Sequence, residues 1–260
     1  MTSPVDEYGG SVGAIFAGTT ALVTGGAKRI GRSVSLALAS AGANVVIHHH
    51  RSEAAAQALA AELGRLGVQT AVLQADLEQP SEAELLVARA RDLVGPIDIL
   101  VNNASVFERD TLETAAFDRF VRSVKINAWS PFILTRAFAR LFGQGRVVNL
   151  LDTRIAGLDL AHAGYILSKQ LLLALTRMAA VAFAPGLTVN AVAPGLILPP
   201  PGEDEAYLER LAHDLPLKRH GAPEDVALAV LFLLQSRFIT GQVIFVDGGR
   251  HLLEPSARPA

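Results

Sequence analysis

The chain of 260 residues contains no cysteine, and it has only two methionines and one tryptophan. Without a thiol there is no disulfide framework, no thiolate nucleophile and no cysteine-ligated metal, and a reducing compartment fits. Charge is also scarce. Charged residues make up 18% of the chain, and 23 Lys plus Arg against 25 Asp plus Glu leave a net charge of -2, with no basic stripe for a phosphate backbone. Nucleic acid is therefore not an expected partner. Long apolar runs are missing too, since Leu171 to Val192 is broken by Arg177, Pro185 and Asn190. No membrane span is expected. Residues 1–18 carry Asp6 and Glu7 where a secretory signal needs positive charge, so they read as a loose leader and the protein as cytoplasmic.

What is abundant is apolar side chain, at 50% of residues, enough for a sizeable core. No repeat and no Ser-, Gly- or charge-rich linker divides the chain, so one domain is expected. Short apolar runs alternate with longer Ala/Leu-rich stretches: Thr20 to Thr24, Asn44 to His49, Thr70 to Leu73, Ile97 to Asn102, Arg146 to Leu151, Thr188 to Val192 and Gln242 to Val246. Apolar strands separated by helices predict an α/β, doubly wound Rossmann-type domain with a parallel, seven-stranded sheet covered on both faces. Gly42 ends the helix that starts near Ile30, and Ser52 and Ser81 are expected N-caps for Glu53 to Leu63 and Glu82 to Leu93. The Pro-rich segment from Gly195 to Gly202 exceeds a simple turn and reads as a substrate-side lid.

The first strand runs into Thr24-Gly25-Gly26-Ala27-Lys28-Arg29-Ile30-Gly31 and then a helix. Such a turn lets backbone approach a pyrophosphate and aims helix N–H groups at it. The second strand ends His48-His49-His50-Arg51-Ser52, without the carboxylate that would hold a ribose 2′-hydroxyl. Arg51 and Ser52 instead offer donors for a 2′-phosphate, which favours NADP(H) over NAD(H). No metal is expected from the three histidines, because alternation along a strand puts only His48 and His50 on one face. Tyr165 and Lys169 lie four apart and so share one face of a helix, where an ammonium favours the ionised phenol.

Thr24 to Gly31, Asn102-Asn103-Ala104-Ser105, Asn127, Tyr165 with Lys169, and Pro194-Gly195 occur in the order and spacing that resemble the short-chain dehydrogenase/reductase family. The resemblance runs from Thr20 to Leu252. It implies a reductase domain over residues 19–252, with a substrate loop over residues 195–215 and a tail over residues 253–260. It also implies that Tyr165 transfers the proton, that Lys169 lowers its pKa and holds the nicotinamide ribose, and that Asn127 supports a water chain behind Lys169. Gly25, Arg29, Ile30 and Gly31 would meet the cofactor phosphates, with His49, His50, Arg51 and Ser52 around the 2′-phosphate. Asp76 and Leu77, then Asn103 and Ala104, would line the adenosine side, Ser105 would reach both cofactor phosphate and pterin edge, and Pro194 and Gly195 would complete the site.

Two positions depart from the common pattern: Arg29 stands where most members have Gly, and Asp152 where most have Ser. Together with His48 to Ser52, Asn103-Ala104-Ser105-Val106-Phe107 and the ending Asp247 to Leu252, they resemble the pteridine and dihydromonapterin reductase branch. That resemblance implies NADPH-dependent reduction of a 7,8-dihydropterin, a homotetramer, and a pterin pocket of Arg29, Ser105, Phe107, Asp152 and Tyr165. Phe107 would stack on the flat ring, and His162 would sit near the pocket rim. The alternatives are a carbonyl reductase acting on 3-oxoacyl thioesters and a non-catalytic NADP(H)-binding regulator.

Overall fold

A computed structural model describes residues 14–253 apart from Leu158 and Pro201. Residues 1–13 of the expected leader and 254–260 of the expected tail lie outside the described residues. The leader reading fails for its last part. Phe16 is only 2% exposed and packs into the core, its N–H donating to the Ala41 carbonyl (2.9 Å), because an aromatic ring gains more by burial than a free end gains in entropy.

Seven parallel strands form one sheet: β1 (Thr20–Val23), β2 (Asn44–His49), β3 (Thr70–Gln74), β4 (Ile99–Asn102), β5 (Gly145–Leu150), β6 (Leu187–Pro194) and β7 (Val243–Val246). The strand order is β3-β2-β1-β4-β5-β6-β7, so the chain reverses direction of travel between β1 and β4. Ligands of such sheets sit outside the carboxyl ends of the strands at that switch point. Alternation along a strand divides its residues between the two faces. Ala21 and Val23 face one cluster with Val45, Ile47, Ile99 and Val101, while Leu22 faces the other with Val46, Leu100 and Val147.

The helices are α1 (Arg29–Ser40), α2 (Glu53–Gly64), α3 (Pro80–Val94), α4 (Phe117–Val124), α5 (Ser130–Phe142), α6 (Ala163–Ala182), α7 (Glu205–Ala212) and α8 (Pro223–Gln235). The strand expected from Ile97 begins at Ile99, because Asp98 is used as an acceptor, its Oδ2 taking the Thr20 N–H (2.9 Å). Ser81 does not cap α3. Gln79 is the N-cap and Pro80 opens the helix, where its fixed φ suits the first turn and its missing N–H costs nothing. Nor is the segment over residues 195–215 all loop: α7 lies within it, and Leu208 and Ala212 bury against Leu196 and Leu215.

Candidate active site

The turn after β1 is built around contacts that only glycine permits. Gly25 has a φ of +60°, and a Cβ on Gly31 would lie 2.2 Å from the Gly25 carbonyl oxygen. Arg29 has a φ of +53°, the left-handed region that a side chain enters only at a cost of about 1 kcal/mol or more. A glycine at this position would escape that cost. The Arg29 guanidinium donates to the Pro199 carbonyl (2.8 Å), tying the turn to the Pro-rich segment after β6. Asn103 fastens the same turn from β4, its Nδ2 donating to the carbonyls of Thr24 (2.9 Å) and Gly25 (3.1 Å).

His48 adds a support that the sequence reading missed. Its Nδ1 accepts the Gly25 N–H (3.1 Å) and its Nε2–H donates to the Ala75 carbonyl (3.1 Å), joining the ends of β1, β2 and β3 through a neutral ring. Burial, aided by His49 and His50 nearby, pushes its pKa down to about 4 from 6.5. The unfolded chain therefore binds a proton that the folded one refuses. Stability contributed by the neutral ring is complete above pH 6.5 and declines as pH falls toward 4. Chemical denaturation midpoints should drop across this window, and the drop should be shallower in His48→Gln.

Two cavities open along the switch point. The larger, about 280 Å³, is lined by Gly25, Ala27, Lys28, His49, His50, Arg51, Ser52 and Arg122. Its chemistry fits an anionic nucleotide end: the Arg51 side chain is exposed, the Ser52 hydroxyl is not spent on capping α2, and the buried His49 Nδ1 has no partner among the described residues. Lys28 and Arg122 were not singled out by sequence. Arg122 arrives from α4, held by Glu78 (3.0 Å) and Glu108, and nothing in its local sequence marks it. Asp76 and Leu77 line neither cavity. Asp76 Oδ1 accepts the Glu78 N–H (3.0 Å), and Leu77, 5% exposed, belongs to the core.

The second cavity, about 160 Å³, brings together Arg29, Ile30, Asn103, Ser105, Asp152, Tyr165, Lys169, Pro194 and Gly195 from both halves of the sheet. Tyr165 donates its O–H to Asp152 Oδ2 (2.9 Å). The pKa relation expected from spacing is reversed here. Burial and the facing Asp152 carboxylate push the phenol well above 10, and the Lys169 ammonium does not offset them. Its Nζ donates to the Leu150 carbonyl (2.7 Å) and lies 5.7 Å from the Tyr165 ring centre, while burial pushes its pKa down to about 8. The Tyr165 phenol is thus kept protonated, with its O–H directed at Asp152.

Asn127 lies in a π-helical turn over Lys125–Trp129, a distortion often found at functional sites. Its Oδ1 accepts from the Ser105 hydroxyl (3.0 Å) and the Val106 N–H (2.8 Å), and its Nδ2 donates to the Val106 carbonyl (3.0 Å) and Ser168 Oγ (3.0 Å). The side chain so fastens the Ser105–Val106 loop to α6.

Phe107 is 41% exposed, which rules out ordinary core packing. Its ring stacks on His162 (4.2 Å between centroids, 17° between planes) and meets Tyr165 edge-on (4.7 Å, 87°). Arg154 and Asp159, which the sequence reading passed over, surround this pair. Their signal was weak, because charged residues in a loop usually mean only a solvated surface.

The chain is similar to known proteins over most of its length. Residues 25–251 match the family model described as enoyl-(acyl carrier protein) reductase. A 3-oxoacyl-[acyl-carrier-protein] reductase of Synechocystis sp. is 34% identical over 88% of this chain and 95% of its own length. A short-chain type dehydrogenase/reductase of Picea abies is 32% identical over 90% of this chain and 92% of its own. Among solved structures, FolM alternative dihydrofolate reductase 1 from Brucella canis, complexed with NADP, is similar with a TM-score of 0.89 at 37% identity. That match covers 95% of this chain and 99% of the other.

Proposed function

Because the chain belongs to the short-chain dehydrogenase/reductase family, we propose that it is an NADPH-dependent reductase of 7,8-dihydropterins, with dihydrofolate a further substrate. Support for the cofactor comes from the Arg51 and Ser52 end of the larger cavity and from the NADP and NADPH in similar solved structures. Arg51→Ala is expected to weaken NADPH by about 1.5 kcal/mol, the worth of a charge-assisted hydrogen bond, and to leave NADH nearly unchanged. Fluorescence titration with both nucleotides measures this.

NADPH, when bound, supplies the hydride that reduces the ring C=N bond at carbon. This chain's residues manage the proton and the ring. Gly25 and Ile30 offer backbone to the phosphates, Gly31 packs buried against Gly25 behind them, and Lys169 and Asn103 flank the inner end of the cleft. The faces of Phe107 are taken by His162 and Arg154 and the ring lines neither cavity, so the face-on stacking expected from the resemblance does not hold and the ring offers only its exposed edge to an aromatic substrate, while Asp152 accepts from N–H groups at the substrate's edge. Tyr165 holds at Oη the proton that the adjacent ring nitrogen needs.

The observation that carries the reading is the Tyr165 to Asp152 hydrogen bond. A ketone reductase must donate to a carbonyl oxygen that gains negative charge, and a carboxylate opposes that charge. The second reading, a 3-oxoacyl thioester reductase, is favoured by the sequence relatives. Side-by-side NADPH oxidation with dihydromonapterin, dihydrofolate and acetoacetyl thioester separates the two. Efficient thioester reduction with inert dihydropterins would replace our reading with the second.

The proposal includes a homo-oligomer, a tetramer by resemblance. Along α6, Leu167, Leu171, Met178 and Val181 form an exposed apolar stripe, with Val181 80% exposed. Such a stripe on a monomer's helix is unusual and suits a self-complementary interface. Light scattering on the purified protein should give the mass of four chains.

A further inference from the structure

We propose that Arg154 is a positioning residue that holds both the aromatic platform and the acid partner of Tyr165, an inference that rests on the reductase reading of the cleft. Arg154 lies in a single 3₁₀ turn, Thr153–Ala156, that follows β5. Its backbone N–H donates to Asp152 Oδ1 (2.9 Å), and its guanidinium Nη1 stands 3.7 Å from Asp152 Oδ2, the oxygen that accepts the Tyr165 O–H. Its Nε faces Asp159 Oδ2 (3.0 Å), and its Cζ lies 5.0 Å from the Phe107 ring centre.

These contacts close a circuit. Asp159 pairs with His162 Nδ1 (3.0 Å) as well as with Arg154, His162 stacks on Phe107, and Phe107 lies under Arg154. The ordinary reading of an Arg–Asp pair is a surface ion pair of little consequence. Burial argues otherwise, since the Arg154 and Asp159 side chains are only 21% and 16% exposed. Although burial opposes it, the His162 hydrogen bond and then the charge of Arg154 hold the Asp159 carboxyl down to about 2.

The need for such a support follows from Phe107 itself. A ring that is two-fifths exposed has no core around it to fix its angle. His162 and Arg154 supply that constraint, and the same guanidinium keeps a positive charge beside Asp152. Arg154 thus couples two tasks, ring binding through Phe107 and proton handling through Asp152 and Tyr165, without touching either reacting atom.

The test compares Arg154→Met and Arg154→Lys with the wild type, each saturated with NADPH. For dihydropterin, R154M is expected to raise KM about tenfold and lower kcat at least threefold, with the NADPH dissociation constant within twofold of wild type. R154K should restore kcat, since the charge beside Asp152 returns, but not KM, since an ammonium cannot lie flat on Phe107 while bridging Asp159. A merely structural role would move melting temperature and NADPH affinity without that split.

A crystal structure of R154M, solved without substrate, should show Phe107 turned off His162. An unchanged stack in that structure, or R154M kinetics equal to wild type, would overturn the inference. If R154M does not fold, the R154K split decides alone. A wild type inert toward dihydropterins would instead overturn the functional reading, and the substrate-free structure would still decide the role of Arg154.

Discussion

Tyr165→Phe is expected to lower kcat for dihydropterin by about 10²- to 10⁴-fold, the usual contribution of a positioned proton donor, while NADPH affinity stays within twofold. The phenol is 6% exposed on the buried side of α6, so the ring of Phe refills its space and only the O–H is lost. That O–H is the group hydrogen-bonded to Asp152, and burial with the facing carboxylate keeps it protonated far above neutrality. Hydride addition to a C=N bond leaves a nitrogen that must be protonated, and Tyr165 lines the second cavity with its O–H held by a carboxylate. Steady-state kinetics over a range of pH, with NADPH titration in parallel, measure the effect. A variant retaining a tenth or more of wild-type kcat would show that water delivers the proton and that Tyr165 only shapes the cleft.

Asp152→Ser should lower kcat/KM for dihydropterin by about 10- to 100-fold, equal to the ~1.5–3 kcal/mol of a hydrogen bond to a charged group. Two effects act together. The pterin edge loses a carboxylate acceptor for its N–H groups, and the Tyr165 O–H loses the partner that aims it. Arg154 is left with Asp159 alone, so the substitution also unbalances the charges behind Phe107. NADPH binding should not change, because Asp152 lies in the second cavity and not beside Arg51. Weak reduction of acetoacetyl thioester should emerge, since a serine hydroxyl can donate to a developing oxyanion. If the wild type already reduces that thioester efficiently and the variant keeps the activity, the carboxylate has no part in substrate choice.

The two outcomes are independent in a useful way. Tyr165→Phe tests whether the cleft performs proton-coupled reduction at all, a property both functional readings share. Asp152→Ser tests which bond is reduced. The side chains differ in what they can do toward substrate: the phenol donates to nitrogen or oxygen alike, whereas the carboxylate can only accept.

Much of this molecule is legible in its sequence for reasons of pattern. A strand buried on both faces is apolar at most positions, so the strands stand out as short, largely apolar runs between helical stretches, and the run at Asn44–His49 coincides with β2 at both ends. A backbone that must pass within contact distance of another admits only glycine, so Gly25 and Gly31 mark the phosphate turn by composition alone. The order of Asn127, Tyr165 and Lys169 likewise located α6 and the inner end of the cleft.

Other features depend on which distant segments meet, and these were decided only by the tertiary structure. His48 reads as one of three histidines until the β1 turn and the end of β3 are placed on either side of it. Arg122 reads as a solvated helix residue until α4 carries it to the rim of the larger cavity. Spacing put Lys169 on the same face as Tyr165, but the strength of their coupling depends on burial, on the Leu150 carbonyl and on the opposing Asp152, and the sign of the phenol's shift follows from those. Sequence thus determined the fold and the glycine turn after β1, because local packing rules and glycine sterics are written in residue type and spacing. Tertiary structure decided the pKa of Tyr165, the angle of Phe107 and the circuit through Arg154, because charge, desolvation and ring contact act through distance in space.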